Sequence, residues 1–328
     1  MSGAQYHPSF AARKLNSILS RMFDLAIIGG GPAGVAAGVY AARKHLKTVF
    51  IAETIGGQST DSVGIENWIG TEKIAGVDLA KSLERHLRAY ASDMVELHIG
   101  ERAERAEKTA GGFTIHTNKG AYEARAILMA TGGVRRKLDV PGAQEFENKG
   151  VTYCASCDGP LFSGQDVVVV GGGNAGFESA AQLLAYCKSV TLIHRNEAFT
   201  KADALTVEAV LKHPNMRALR NSEPVEIKGE MFVSAVVVQD RTTGEKSEIP
   251  AAGVFVEIGM IPSTAYAADI VALDSLGRVP VDAKNQRTST DGVWAAGDCT
   301  DELYHQNNIA AGDAVKALED IYYWLKAH

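Results

Sequence analysis

Asp24-Leu-Ala-Ile-Ile28 runs into Gly29-Gly-Gly-Pro-Ala-Gly34 and then into the small-residue stretch Val35–Arg43. The same arrangement returns as Asp166-Val-Val-Val-Val170, Gly171-Gly-Gly-Asn-Ala-Gly176 and a helical stretch from Phe177 to about Ala185. Adding 142 to a position in the first copy gives its counterpart in the second, and each copy continues into another apolar strand, Leu46–Ala52 and Val190–His194. A lone glycine-rich turn is a weak signal. Two copies, each between a predicted strand and a predicted helix, supply the context that dinucleotide binding demands. The glycines Gly29, Gly31 and Gly34, with Pro32 and Ala33, allow a tight turn and close approach to a pyrophosphate. Gly171, Gly173, Asn174, Ala175 and Gly176 do the same in the second copy, where the helix N-terminus again offers amide donors.

The end of each second strand is where the adenosine ribose is read, and there the copies differ: Glu53 in the first corresponds to Arg195 in the second. A carboxylate accepts from ribose hydroxyls and repels a 2'-phosphate, whereas an arginine attracts one. Two different nucleotides are therefore expected. The alternative for Arg195 is a surface arginine after a strand.

The rest of the chain sets bounds. At 328 residues with 46% hydrophobic content, two domains of ordinary size are expected. A net charge of -6 argues against a nucleic-acid binder, which needs a basic footprint. Four cysteines, no secretory segment and no apolar run of about eighteen residues point to a soluble cytoplasmic protein without a disulfide scaffold or membrane span. Residues 1–22 contain no acid and carry an apolar stripe at Leu15, Ile18, Leu19 and Met22, which reads as a targeting peptide, an extra helix or a leader. Ala75–Ala91 has helical apolar spacing, and Phe232–Asp240 and Gly253–Ile258 read as strands linked through Thr242-Thr243-Gly244.

Cys154-Ala-Ser-Cys157, followed by Asp158, lies just before the second glycine turn. A zinc site needs further ligands, and Cys187 and Cys299 stand alone. A bracing disulfide across two residues closes too small a loop to stabilise much. Redox exchange remains: one thiolate attacks a partner disulfide and the second resolves the mixed disulfide. Asp158 is placed to carry a proton to or from a departing thiolate, or else simply caps a helix.

These residues resemble the low-molecular-weight thioredoxin reductases. The likeness is carried in order by Gly29–Gly34, Gly56-Gly57-Gln58, Ile65-Glu-Asn67-Trp68, Ala130-Thr131-Gly132, Cys154–Gly159, Gly171–Gly176 and Ala296-Gly297-Asp298. Gly150-Val-Thr-Tyr-Cys154, Gly159-Pro-Leu-Phe162 and Lys201-Ala-Asp203 also resemble the flavoprotein portion of the bacterial alkyl hydroperoxide reductase flavoprotein subunit. The resemblance implies an α/β fold with two Rossmann-like, three-layer ββα dinucleotide-binding domains, the second inserted into the first. Residues 23–136 and 265–328 would bind FAD, and residues 137–264 would bind a pyridine nucleotide and carry the dithiol.

By the same resemblance, the FAD pyrophosphate falls at Gly31–Ala33 and its ribose near Glu53. Gly56–Gln58 and Asn67 line the flavin path, Ala130–Gly132 and Gly297 border it, Asp298 meets the ribityl or phosphate region and Gln306 sits beside the flavin ring. Cys157 faces the flavin and Cys154 attacks the partner. Hydride passes from NAD(P)H to FAD, electrons then reduce the dithiol, and a domain rotation about linkers near residues 136 and 265 lets nicotinamide and dithiol take turns.

Two departures from the family pattern stand out. The arginine-rich NADPH signature is reduced to His194-Arg195-Asn196-Glu197 with Lys201, which weakens the choice of NADPH over NADH while still leaning to NADPH. His305-Gln306-Asn307 also alters a position near the flavin. The leading expectation is a homodimeric reductase of a thioredoxin-like or glutaredoxin-like protein. The alternatives are a peroxiredoxin-system reductase, expected to act through a separate small redox carrier, and a flavin-bearing redox sensor that does not turn over.

Overall fold

The computed structural model describes residues 22–62 and 64–328; apart from Met22, the N-terminal extension and its apolar stripe lie outside the described residues. The chain forms two compact units. Of the described residues, the first takes in 22–59, Leu79–Gly133 and Pro262–His328, and the second takes in Thr60–Asp78 and Val134–Ile261.

In the first unit, β1 (Phe23–Ile28) leads through the glycine turn into α1 (Pro32–Arg43) and β2 (Thr48–Ala52), followed by α2 (Gly76–Ala91) and β3 (Val95–Ile99). A meander of β4 (Ala103–Thr109), β5 (Gly112–Thr117) and β6 (Ala121–Met129) comes next. The sheet order is β3-β2-β1-β6-β5-β4. Successive β1 residues face opposite sides. Leu25 and Ile27 pack with the helices, while Ala26 and Ile28 pack with Ile127, Met129 and Tyr266 on the other face. A strand buried on both faces needs an unbroken apolar run, and Leu25–Ile28 provides one.

After β7 (Gly133–Arg135) at the boundary, the second unit continues with β8 (Val151–Thr152) and the one-turn helix α3 (Ala155–Asp158), at whose start the dithiol lies. Then β9 (Asp166–Val170), α4 (Asn174–Leu183), β10 (Ser189–Ile193), α5 (Ala204–Leu211) and β11 (Met216–Leu219) repeat the pattern of the first unit. They precede a meander of β12 (Ser222–Gly229), β13 (Val233–Asp240) and β14 (Lys246–Pro250), then β15 (Gly253–Val256) and β16 (Met260–Pro262). The parallel sheet runs β11-β10-β9-β15-β8. Val167 and Val169 pack with Phe177 and Phe255, while Val168 and Val170 pack with Ile227 and Val236. Fully burying each valine is worth about 1.5–3 kcal/mol.

The chain returns to the first unit with β17 (Val293–Ala295) and α6 (Asn307–Ala327). The long strand β6 divides its outer edge: Ala121–Ala124 pairs with β5, and Ile127–Met129 pairs with β17. The internal repeat extends to strand register. Leu25 pairs with Thr48 in the first unit, and Val167 pairs with Val190 in the second, each member shifted by the same 142 positions.

One connection differs from expectation. Thr242–Gly244 turns β13 into β14, not directly into β15. Lys246, Ser247, Glu248 and Pro250 are exposed and only Ile249 is buried, so this edge strand lacks the apolar alternation that marks a strand in sequence.

Candidate active site and nucleotide clefts

The first glycine turn is built from contacts only glycine can make. A β-carbon on Gly34 would lie 1.9 Å from the Gly29 carbonyl oxygen, and Gly29 itself has φ +120° against the end of β6. Gly31 is different: a β-carbon there would meet nothing within 4 Å, because it would project into a cleft of about 640 Å³ at the start of α1. Open space beside free helix amides is what an approaching pyrophosphate requires. Gly29, Gly31, Pro32, Ala33, Glu53, Gly57, Gln58, Ala130, Thr131, Gly132, Gly297 and Asp298 all line this cleft.

Gln58 Nε2 donates to Asp298 Oδ2 at 3.5 Å, and Ser59 Oγ donates to Asn307 Oδ1 at 3.0 Å, tying the turn after β2 to the start of α6. Gln306 is the residue before α6 and, like Gly56, is not part of the cleft lining. Asn67 belongs to Thr60–Asp78, in the second unit.

Two buried hydroxyls at this cleft, Thr131 Oγ1 and Tyr266 Oη, have no hydrogen-bond partner. Burial raises the Tyr266 phenol well above its ordinary range. Polar atoms left bare in a protein interior are costly, and a polar ligand in the cleft would satisfy them.

At the far end of the cleft, Glu53 pairs with Arg102 at 3.4 Å. Beside them Glu101 is buried, and it accepts hydrogen bonds from Thr117 Oγ1 and from Tyr122 Oη, the latter at 3.0 Å. Burial pushes the Glu101 carboxyl up, but Thr117, Tyr122 and His98 outweigh it and hold the carboxyl below the usual range. Burial and Glu101 push the Tyr122 phenol up to about 12.

The second glycine turn repeats the first. Gly171 has φ +125°, and a β-carbon on Gly176 would lie 1.9 Å from the Gly171 carbonyl oxygen. The backbone N–H of Asn174 at the start of α4 donates to Lys201 O at 3.2 Å and its side-chain Oδ1 accepts from Asp203 N at 2.7 Å, so the loop carrying Lys201 is stapled to the helix start. Asp203 also accepts from Thr206 N at 2.8 Å and caps α5. His194 stacks near Phe199, with ring centroids 5.0 Å apart, and Arg220 lies over the same Phe199 ring at 4.9 Å. Arg241 donates to the Arg195 carbonyl oxygen at 2.7 Å. Arg195 follows β10, Lys201 lies in the loop beyond it and Arg220 follows β11, and all three are exposed.

Cys154 and Cys157 form a disulfide, with Cα atoms 5.3 Å apart, across the start of α3. Cys154 is extended, so the chain swings out of β8 and turns at once into the helix. Asp158 closes that turn. Its Oδ2 accepts from Thr152 Oγ1, while its buried Oδ1 has no partner. Burial raises the Asp158 carboxyl above its ordinary range, and the Thr152 hydroxyl partly offsets this. Cys187 and Cys299 are buried thiols pushed up to about 11 by that burial, which makes them poor nucleophiles. Among the described residues no group of three or more His, Cys, Asp or Glu side chains forms a metal site, and no helix is long and apolar enough to cross a membrane.

The sequence profile described as pyridine nucleotide-disulphide oxidoreductase matches residues 23–314. The chain belongs to the pyridine nucleotide-disulphide oxidoreductase family. It is 40% identical over 296 residues to a Bacillus subtilis (strain 168) protein named NADH dehydrogenase, which covers 90% of this chain and 57% of that one. It is also 40% identical over 308 residues to the F component of alkyl hydroperoxide reductase from Pseudomonas putida, covering 93% of this chain and 58% of that one. The chain thus spans less than two thirds of the length of these curated relatives. Among solved structures, thioredoxin reductase from Streptococcus pyogenes MGAS5005 matches with a TM-score of 0.85 at 33% identity, over 94% of this chain and 99% of that one. The enzyme from Giardia duodenalis matches with a TM-score of 0.86 at 33% identity, over 93% and 99%.

Membership of the pyridine nucleotide-disulphide oxidoreductase family implies a flavin and a nicotinamide cofactor. Several residues near these clefts and strand ends carry no local signal in the sequence. Arg220 reaches the Arg195 turn only because β11 lies beside β10. Tyr266 reaches the first cleft from 135 positions beyond Thr131. Glu257, at the end of β15, is buried with Ser179 Oγ at 2.7 Å and Arg135 Nη1 at 3.3 Å. Burial raises its carboxyl, and Arg135 opposes the shift.

Proposed function

We propose that this protein is an FAD-dependent reductase that carries electrons from NADPH to the Cys154–Cys157 pair and on to the disulfide of a thioredoxin-like or glutaredoxin-like protein. The observation that carries this reading is the Cys154–Cys157 disulfide on a one-turn helix, inside the unit that holds the second nucleotide turn and backed by Asp158. FAD fits the first cleft, where Gly31 leaves room for a pyrophosphate and Thr131 and Tyr266 present unsatisfied hydroxyls. Glu53 and Arg102 stand at the adenosine end and Asp298 with Gln58 at the other. The bound flavin supplies a two-electron carrier between nicotinamide and disulfide.

The chain's own residues then perform the exchange. The Cys154 thiolate attacks the partner disulfide; one partner sulfur leaves and takes a proton from Asp158. Cys157 gives its proton back to Asp158 as it attacks Cys154 Sγ, which closes the 154–157 bond and releases the second partner sulfur. The dithiol loses two electrons and the partner gains two.

Preference for NADPH rests on the three cations Arg195, Lys201 and Arg220 around the turn that would face the adenosine ribose, since guanidinium groups bind phosphate through charge-assisted hydrogen bonds. Stopped-flow reduction by NADPH and NADH in parallel tests this. Faster flavin bleaching by NADPH is expected, and equal or faster bleaching by NADH overturns the preference. The 40% identity to the F component of alkyl hydroperoxide reductase favours a second reading, in which the same dithiol feeds a peroxiredoxin through a small redox carrier. Peroxide turnover in a mixture of this protein, a redoxin and a peroxiredoxin distinguishes it from direct redoxin reduction.

A further inference from the structure

We propose that Thr152 is the positioning residue of the dithiol's proton carrier: its hydroxyl fixes which oxygen of Asp158 bears the proton and ties that carboxyl to the backbone of Cys154. The inference rests on the dithiol reading above and names the group that organises it. Thr152 is the last residue of β8, 6% exposed, and held in register opposite Phe255 of β15. A hydroxyl has one proton to give and lone pairs to accept with. The Cys154 amide donates to Thr152 Oγ1 at 3.4 Å, and Thr152 Oγ1 in turn donates to Asp158 Oδ2.

That direction has a consequence for the acid. When the carboxyl is neutral, the oxygen that accepts from Thr152 is its carbonyl-like oxygen, which leaves the proton to Oδ1. Oδ1 is the buried atom with no partner, and on this proposal it holds the proton that goes to a departing thiolate and comes back from Cys157. The titratable groups on the surrounding elements are few. They are Cys154 just before α3 and Cys157 within it, Tyr153 between β8 and Cys154, Glu178 on α4, Tyr186 and Cys187 after α4, and Glu257 at the end of β15. Tyr186 donates to Ala155 O at 3.5 Å, and Glu257 is held by Ser179 and Arg135. Among the described residues no charged side chain acts on Asp158, and the Thr152 hydroxyl is what opposes the upward shift caused by burial.

The test uses the flavin-loaded protein, reduced with a phosphine and freed of excess reductant. Alkylation of its dithiol by iodoacetamide is followed against pH, beside redoxin reduction at pH 7. Removing the hydroxyl in Thr152→Val keeps Asp158 neutral to higher pH, so the alkylation midpoint should move downward by about one pH unit and redoxin reduction should slow about tenfold, while flavin absorbance stays unchanged. Thr152→Ser, which keeps the hydroxyl, should restore both. Thr152→Ala makes the same comparison independently of how valine packs, and in an Asp158→Asn background the Thr152→Val shift should disappear. A Thr152→Val profile that superimposes on the wild type, or a Thr152→Ser profile that matches Thr152→Val, overturns the proposal. A Cys154→Ser arm separates the two levels. If Cys154→Ser still reduces redoxin, the dithiol reading fails; if it does not and Thr152→Val leaves the profile unmoved, the role of Thr152 alone fails.

Discussion

A β-carbon placed on Gly29 would stand 2.1 Å from the carbonyl oxygen of Ala130. The same relationship recurs in the second unit, where a β-carbon on Gly171 would stand 2.1 Å from the carbonyl oxygen of Glu257. In both units the end of the neighbouring parallel strand presses against the first glycine of the turn, at a positive φ that other residues seldom adopt. Strain and overpacking together put the cost of Gly29→Ala at about 2–5 kcal/mol. Gly31→Ala separates fold from binding. Gly31 has φ -73° and its β-carbon would meet no protein atom, so chemical denaturation should be nearly unchanged while FAD affinity, measured on the apoprotein by fluorescence titration, falls. Unchanged FAD affinity would remove the cleft from the cofactor assignment.

The nucleotide preference has a separate test. Arg195→Ala and Arg220→Ala should each lower kcat/KM for NADPH about tenfold, the value of one charge-assisted contact, and change kcat/KM for NADH by less than twofold or so. Parallel losses with both nucleotides would show that these arginines support the loop and read no phosphate.

Thiol reactivity should divide cleanly. After reduction, native protein treated with iodoacetamide should carry label on Cys154 and Cys157 and none on Cys187 or Cys299, because the latter two are buried and their thiols are pushed up to about 11. Peptide mass mapping reads the outcome, and label on Cys299 at neutral pH would contradict it.

Acid stability follows from Glu101. Its folded-state carboxyl lies below the ordinary range, so its contribution is present above the unfolded carboxylate pKa and is lost as pH falls through the folded value. Tyr122→Phe removes one donor to that buried carboxylate and should cost about 1–3 kcal/mol at pH 7. It also raises the folded-state pKa, so the decline on acidification should begin at higher pH than in the wild type. Urea midpoints measured from pH 7 down to pH 3 check both; a constant difference across that range would rule out the carboxylate as the cause.

Local chemistry is legible in the sequence and tertiary convergence is not. The offset of 142 between Gly29–Gly34 and Gly171–Gly176 announces two similar α/β units, because a glycine turn between strand and helix is a contiguous pattern, and the same offset holds in the strand register. The CxxC is equally visible. Strands β4, β5, β12 and β14 are not, since they are largely polar and owe their form to pairing partners. Thr152 shows no role within Gly150–Cys154, because the link from its hydroxyl to Asp158 appears only once α3 folds back on β8. Arg220, Tyr266 and Glu257 come from distant chain segments that the sheets bring to the ends of their strands.

The central claim, that nicotinamide electrons reach Cys154 and Cys157, is tested most directly by anaerobic titration with NADPH followed by rapid alkylation and thiol mapping. Two new alkylated thiols per chain, at Cys154 and Cys157, are predicted, and a Cys154→Ser variant should show full flavin bleaching without the gain. Complete bleaching of the wild-type flavin with both cysteines still joined would contradict the account.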